Sequence, residues 1–238
     1  MRFFGPVIDF ALPARCAGCG LIVAGDFQLC TTCWQSLTFL LGNGCALCGL
    51  PMEIEGQTCA PCLLRAPEHD GVRAAVAYGD VARSIVLKLK HGRRIGLAKM
   101  IGRTLVRHLP SQRIMIVPVP LHRWRIWGRG FNQSALIAAE IAKLSGEMVE
   151  LDLLRRVKST PMLRGLGSVD RAKAVKSAFA VNPDYAERIS GETIILVDDV
   201  YTSGATANAC ARALKKAGAA HVIILCWARV LRKDAVFD

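Results

Sequence analysis

Short apolar runs alternate with longer stretches of helical spacing over most of the chain. Val72 to Tyr78 reads as a strand. Val81 to Lys90 places Ile85 and Leu89 one turn apart, the spacing of a helix with one buried stripe, and His91-Gly92 ends it. A second helix is predicted from Ile95 to Leu109. Ile114 to Val117 is a continuous apolar run, a strand buried on both faces, closing on Pro118-Val119-Pro120. Residues 121–130 read as a long loop, and Phe131 to Leu144 as a helix ended by Gly146. The stretch 155–177 is polar and basic. Ile194 to Val197 is a second buried strand, ending at Asp198; helix 205–217 follows, capped by Gly218, and Val222 to Trp227 is the next strand. Strands separated by helices predict an α/β fold with a parallel sheet.

The first 62 residues follow another rule. Eight of the ten cysteines lie there, as Cys16/Cys19, Cys30/Cys33, Cys45/Cys48 and Cys59/Cys62. A shift of 29 residues carries the first four onto the last four, and Gly20 onto Gly49, so the segment is an internal duplication. Two residues between cysteines form a knuckle that presents both sulfurs to one metal, and the following glycine allows a left-handed turn. Two knuckles complete a closed tetrahedral Cys₄ shell, the pattern of structural Zn²⁺. A disulfide framework and an iron–sulfur cluster fit less well, the one needing an oxidising compartment and the other a different spacing. Spacing leaves sequential and interleaved pairing open, and the duplication favours sequential. Cys210 and Cys226 fall on a predicted helix and strand and read as core. Residues 63–71, with Pro67 and Gly71, read as a linker, dividing the chain into 1–66 (an N-terminal helix plus metal-binding repeats) and 67–238.

Composition refines this picture. Fifty-two per cent hydrophobic and 21% charged residues describe a globular chain. No apolar run reaches the roughly 20 residues that span a bilayer. Phe3 to Leu12 is apolar but interrupted by Pro6 and Asp9, so it reads as a helix packed on its own protein, in a cytoplasmic chain. The formal charge of +12 favours polyanions, nucleic acid or phosphorylated metabolites. Two Zn²⁺ held by eight thiolates would lower that charge by four and leave the sign unchanged.

Chemistry concentrates after the second buried strand. Asp198 and Asp199 stand at its carboxyl end, where ligands settle in open α/β sheets. Thr202, Ser203, Gly204, Ala205 and Thr206 then open a helix. Free N–H groups and the helix dipole favour an anion there, Gly204 admits a close backbone approach, and the hydroxyls add donors. The carboxylates can accept from ribose hydroxyls, so the turn suits a sugar phosphate. In the 121–130 loop, Arg123, Arg125 and Arg129 alternate with Trp124 and Trp127. Such a segment can stack and neutralise single-stranded nucleic acid, or its arginines can grip a pyrophosphate.

The 194–206 stretch resembles the phosphoribosyl-pyrophosphate motif of type I phosphoribosyltransferases. With the four cysteine pairs, Lys88-Leu-Lys90-His-Gly92, Val117-Pro-Val-Pro-Leu-His122, Arg129-Gly-Phe-Asn-Gln133 and Arg171 to Phe179, nearly the whole chain resembles the competence protein F (ComF) family, a double zinc ribbon joined to a phosphoribosyltransferase-like domain. The resemblance implies that 198–206 binds ribose and its 5′-phosphate with Mg²⁺, that Arg129, Asn132 and Gln133 line the same cleft, and that Lys90 sits on a mobile segment. It also implies a role in DNA uptake during competence, with other competence proteins as partners, and the zinc ribbons plus the basic loop suit single-stranded DNA. Thr160-Pro-Met-Leu163 and Ala174 depart from the family pattern near the expected acceptor side.

Overall fold

The computed structural model describes residues 13–42, 44–54, 56–92, 94–158, 175 and 177–231. The expected helix over Phe3 to Leu12 and the departures at 160–163 and 174 lie outside them. Seven helices are described: α1 (Thr31–Gln35), α2 (Ala60–Leu64), α3 (Asp80–His91), α4 (Leu97–Leu105), α5 (Arg123–Arg129), α6 (Gln133–Ser145) and α7 (Ala205–Lys216). The strands are β1 (Gly71–Ala77), β2 (Met115–Pro118), β3 (Met148–Val149), β4 (Leu154–Arg156), β5 (Phe179–Val181), β6 (Thr193–Tyr201) and β7 (His221–Arg229).

The body is a five-stranded sheet in the order β1-β7-β6-β2-β3, with every pair parallel. Its central strands are apolar throughout because both faces are covered. Ile195, Val197, Leu225 and Trp227 pack with α3, α4 and α6, around Ile85, Leu89, Ile101, Ile137 and Ile141. Ile194, Leu196, Val222, Ile224 and Cys226 face α7, with Cys210 and Leu214, and Leu154 and Phe179. Those last two belong to an antiparallel hairpin, β4 with β5, which leans on that face. Cys210 and Cys226 are fully buried, as the sequence reading expects.

Three elements depart from the sequence reading. Residues 121–130 are not a loop: α5 occupies most of them, capped by left-handed Gly130. β6 runs three residues past Asp198, to Tyr201. The segment read as a linker is fastened to the body: Asp70 accepts from Val222 N at 2.8 Å and pairs with Lys215 at 2.7 Å, and Glu68 pairs with Arg212.

The duplication is visible in the backbone. Arg15 bridges Ile22 and, 29 residues on, Gly44 bridges Pro51. Cys16 N donates to Leu21 O and Cys45 N to Leu50 O, both at 2.7 Å. α1 and α2 occupy corresponding places. The segment joining the repeats lies along the open edge of β1: Leu40 N donates to Ala75 O, Ala77 N to Thr38 O, and Phe39 bridges Val76. The front of the protein thus covers a sheet edge that would otherwise present unpaired amides.

Candidate functional site: two cysteine tetrads and a phosphate turn beside paired carboxylates

Cys16, Cys19, Cys30 and Cys33 form one tetrad and Cys45, Cys48, Cys59 and Cys62 the other, with the sulfurs of each within 4.8 Å of one another. Pairing is therefore sequential. The donor set fits zinc. Four sulfurs about 2.3 Å from a tetrahedral ion lie about 3.8 Å apart, and Cys19–Cys30 and Cys48–Cys59 are at 3.7 and 3.6 Å. Backbone amides also point at sulfur, Cys30 N at Cys16 Sγ (3.2 Å) and Cys59 N at Cys45 Sγ (3.3 Å), as suits thiolate acceptors.

The first repeat is tied to α3. Lys88 Nζ donates to Ala17 O and Gly18 O at 2.7 and 2.9 Å, and Ser84 Oγ to Gly18 O. The same helix carries Lys90 toward the sheet, where its Nζ lies 2.5 Å from Asp199 Oδ2. Asp199 is only 4% exposed. Successive strand residues face opposite ways, so Asp198 meets other partners. Its Oδ1 accepts from Ser134 Oγ at 3.2 Å and from Asp199 N at 2.8 Å. Burial pushes the Asp198 carboxyl up from 3.8 to about 7; the Asp199 charge adds to this and Lys90 opposes it.

Beyond the carboxylates, Gly204 sits at φ +74° and caps α7, a position favouring glycine. A Cβ there would fall 2.4 Å from the Tyr201 hydroxyl. Ser203 Oγ is buried without a hydrogen-bond partner at the start of α7. An orphan hydroxyl at a helix N-terminus suits an anion that would accept from it. Thr202 and Thr206 flank it on the same turn, with Thr206 and Ala205 in the first turn of α7. Gly204→Ala is expected to lower the affinity of this turn for phosphate groups about tenfold and to cost about 1–2 kcal/mol of stability; phosphate-ligand titration and urea unfolding of the variant measure both.

Arg129 and Gln133 lie together, Arg129 Nη1 donating to Gln133 Oε1 at 2.5 Å. Burial lowers the Arg129 guanidinium below its ordinary value, with Asp199 opposing the shift and Arg125 adding to it. Arg125 also acts on Arg156, which burial likewise lowers. Arg129 thus stands near Asp199, with Arg125 between it and Arg156 of β4. Asn132 serves the scaffold, since it caps α6 through Ser134 N and donates to Val119 O at 3.0 Å. Trp124 and Trp127 are 61% and 85% exposed, with ring centroids 6.2 Å apart, and Arg123 lies over Trp124.

The sequence reading did not single out four residues that meet this site. Ser134, one residue past Gln133, holds Asp198, and its place at the start of a predicted helix was the available signal. Arg156 sits in a hairpin too short to show in the pattern. His69 and Tyr201 bond at 3.1 Å beneath the turn, and burial pushes the His69 imidazole down to about 4, so it is neutral at physiological pH.

Comparison with known families matches two separate parts of the chain. Residues 7–63 match the double zinc ribbon domain, and residues 132–235 match the phosphoribosyl transferase domain. The chain thus joins a segment that matches a double zinc ribbon to one that matches a phosphoribosyl transferase domain. The chain is similar to the DNA utilization protein YhgH of Escherichia coli (strain K12), at 28% identity over 229 residues, 92% of this chain and 99% of that one. It is also similar to competence protein F of Haemophilus influenzae, at 28% identity over 213 residues, 86% of this chain and 92% of that one. Among solved structures it matches the glutamine phosphoribosylpyrophosphate amidotransferase of B. subtilis complexed with ADP and GMP, with TM-score 0.39 and 19% identity, over 55% of this chain and 26% of the enzyme.

Proposed function

We propose that this zinc ribbon–phosphoribosyl transferase protein binds phosphoribosyl pyrophosphate, and performs phosphoribosyltransferase chemistry on it, in the service of DNA uptake or utilization. The observation that carries this reading is the alignment of Asp198 and Asp199 on β6 with a glycine-cornered turn whose Ser203 hydroxyl is buried and unpartnered. The turn would hold the 5′-phosphate through the α7 amides and the hydroxyls of Thr202, Ser203 and Thr206. The carboxylates would take the ribose hydroxyls and stabilise positive charge on the sugar as pyrophosphate departs. Lys90 and Arg129, with Arg125 and Arg156 nearby, would neutralise the leaving group. Mg²⁺ takes oxygen ligands and keeps several waters, so substrate phosphates and one carboxylate suffice to hold it. The names of the relatives support the setting in competence and DNA utilization.

Calorimetry with phosphoribosyl pyrophosphate and Mg²⁺, with ribose 5-phosphate as control, tests this directly. Asp199→Asn removes the charge that would grip the ribose, and a hydrogen bond to a charged group is worth about 1.5–3 kcal/mol. The variant is therefore expected to bind about ten- to a hundredfold more weakly. Unchanged affinity would remove the carboxylates from the scheme.

The exposure of α5 favours a second reading, in which this helix receives single-stranded nucleic acid. Two solvent-facing tryptophans among arginines can stack bases while neutralising phosphates. Trp124→Ala with Trp127→Ala is expected to lower the affinity for an oligonucleotide at least tenfold, at about 1–3 kcal/mol per stacked base, and wild-type binding is expected to fall steeply with added salt. Equal binding by wild type and double variant in a fluorescence titration would discard this surface.

A further inference from the structure

β7 ends on a buried cation. Arg229 is 6% exposed, and among the described residues it pairs with no carboxylate. Its guanidinium is turned instead toward the second ribbon: Nη1 donates to the carbonyl oxygen of Cys48, and Nη2 lies 3.3 Å from Cys48 Sγ. It also stacks 5.2 Å over the ring of Tyr201, its neighbour in the β6–β7 register. The Tyr201 hydroxyl bonds to His69 Nε2 and lies under Gly204, where there is no room for a Cβ. An unbroken chain of contacts therefore runs from a metal-ligand cysteine to the corner of the phosphate turn.

The packing around this chain is tight. A Cβ on Gly49, one residue past Cys48, would strike Val72 O at 2.4 Å, so the second knuckle sits directly on β1. Rearrangement of the knuckle would therefore be transmitted to the sheet. Charge points the same way. A buried guanidinium is costly unless an anion faces it, and a zinc-bound cysteine is a thiolate. With metal bound, Arg229 has its counter-ion and Tyr201 has a fixed cation over its ring. Once the knuckle opens, both are lost. The first ribbon is tied differently: its anchor, Lys88 on α3, meets the carbonyl oxygens of Ala17 and Gly18, and among the described residues none of its cysteines meets a side chain that reaches Tyr201 or the turn.

We propose that Arg229 is a positioning residue that couples metal occupancy of the Cys45/Cys48/Cys59/Cys62 site to ligand binding at the 202–206 turn. The ligand half of this statement rests on the phosphoribosyl-pyrophosphate reading of that turn. Coupling of this kind is reciprocal. Metal at the second ribbon strengthens ligand binding, and ligand at the turn slows metal loss from the second ribbon but not from the first.

Zinc release from the full-length metal-loaded chain to a chromophoric chelator would be followed with and without phosphoribosyl pyrophosphate and Mg²⁺. Alkylation mapping of the freed cysteines would assign each release phase to a ribbon. Wild type is expected to release second-ribbon zinc at least fivefold more slowly with ligand, and first-ribbon zinc at an unchanged rate. Arg229→Met is expected to release second-ribbon zinc about tenfold faster, to bind ligand about tenfold more weakly, and to lose the ligand effect; Arg229→Lys should recover part of each. Tyr201→Phe, which leaves the Cys48 contact intact, is expected to keep wild-type release without ligand and to lose the ligand's protection. This variant decides the matter if Arg229→Met does not fold. Ligand protection that persists in Arg229→Met or Tyr201→Phe, or that extends equally to both ribbons, would overturn the proposal while leaving the ligand site standing. A wild-type chain that binds no phosphoribosyl pyrophosphate would overturn the site reading and the coupling together.

Discussion

Stripping the metal is expected to unfold the first fifty-odd described residues and leave the parallel sheet standing. The second ribbon has almost no apolar core: its buried cluster consists of Cys45, Cys48, Cys59 and Cys62, with Leu47, Leu50 and Met52 packed around them. Without an ion, four sulfurs held within 4.8 Å have little to keep them together. Structural zinc contributes on the order of 10 kcal/mol per site in zinc-finger peptides, more than the whole stability of many domains. The sheet, by contrast, has Trp227, Ile116, Ile195 and Leu196 buried between helices on both faces. Chelator treatment should therefore give a chain that keeps most of its circular dichroism but exchanges amide hydrogens freely over residues 13–66. β1 should join in this partial exposure, since Thr38 to Leu40 cover its edge. Metal analysis is expected to find two zinc ions per untreated chain. If the treated and untreated proteins showed the same exchange over the ribbons, the metal would have no part in folding them.

The second large effect is a gain in stability from a change that harms the site. Asp198 titrates near 7 in the folded chain against 3.8 as the ordinary value, chiefly because it is buried and secondly because Asp199 stands beside it. Between those two values the folded protein holds a proton that the unfolded chain releases. The stabilising contribution is thus complete below pH 4 and is lost as pH rises to 7. Above that, the ionised carboxylate is a net cost on the order of 4 kcal/mol, part of which the same burial imposes on any polar group there. Asn at this position can still accept from Ser134 Oγ and from the Asp199 amide, without the charge. Asp198→Asn should therefore match wild type near pH 4 and exceed it by about 2–3 kcal/mol at pH 8. Urea midpoints measured across that range give the comparison. A variant less stable than wild type at pH 8 would mean that Asp198 is held as a satisfied anion. The expected gain is the usual relation between a strained site and its scaffold: the wild-type charge is kept for what it binds, at the expense of the fold.

Much of this is legible in the amino-acid sequence, and the residues explain why. Ile194 to Val197 is an uninterrupted apolar run, which a doubly covered parallel strand needs, and it leads into the candidate site. The cysteine period of 29 foretold two equivalent backbone traces, and Arg15–Ile22 and Gly44–Pro51 are equivalent bridges. What stayed hidden lacked a local signature. α5 buries none of its residues, so Arg123 to Arg129 carry no apolar period to betray a helix. β4 and β5 are three residues each, and Arg155 and Arg156 make the first look like loop. β6 continues through two aspartates because β7 pairs with it as far as Tyr201, a choice made by tertiary contact and not by propensity. Asn132, which the resemblance places along the cleft, is also a favoured helix N-cap residue, and the structure shows it capping α6. The Arg229–Cys48 contact joins positions 181 residues apart, and nothing in either neighbourhood announces the other.

The strip from Thr38 to Leu40 has a bearing on how this protein can be divided. It pairs with β1 as a short sixth strand would, running antiparallel to a sheet that is otherwise parallel. A sheet domain cut free of its ribbons would carry a raw hydrogen-bonding border, open to any extended peptide, including another copy of itself. The ribbon segment is therefore a selvedge as well as part of a metal-binding front.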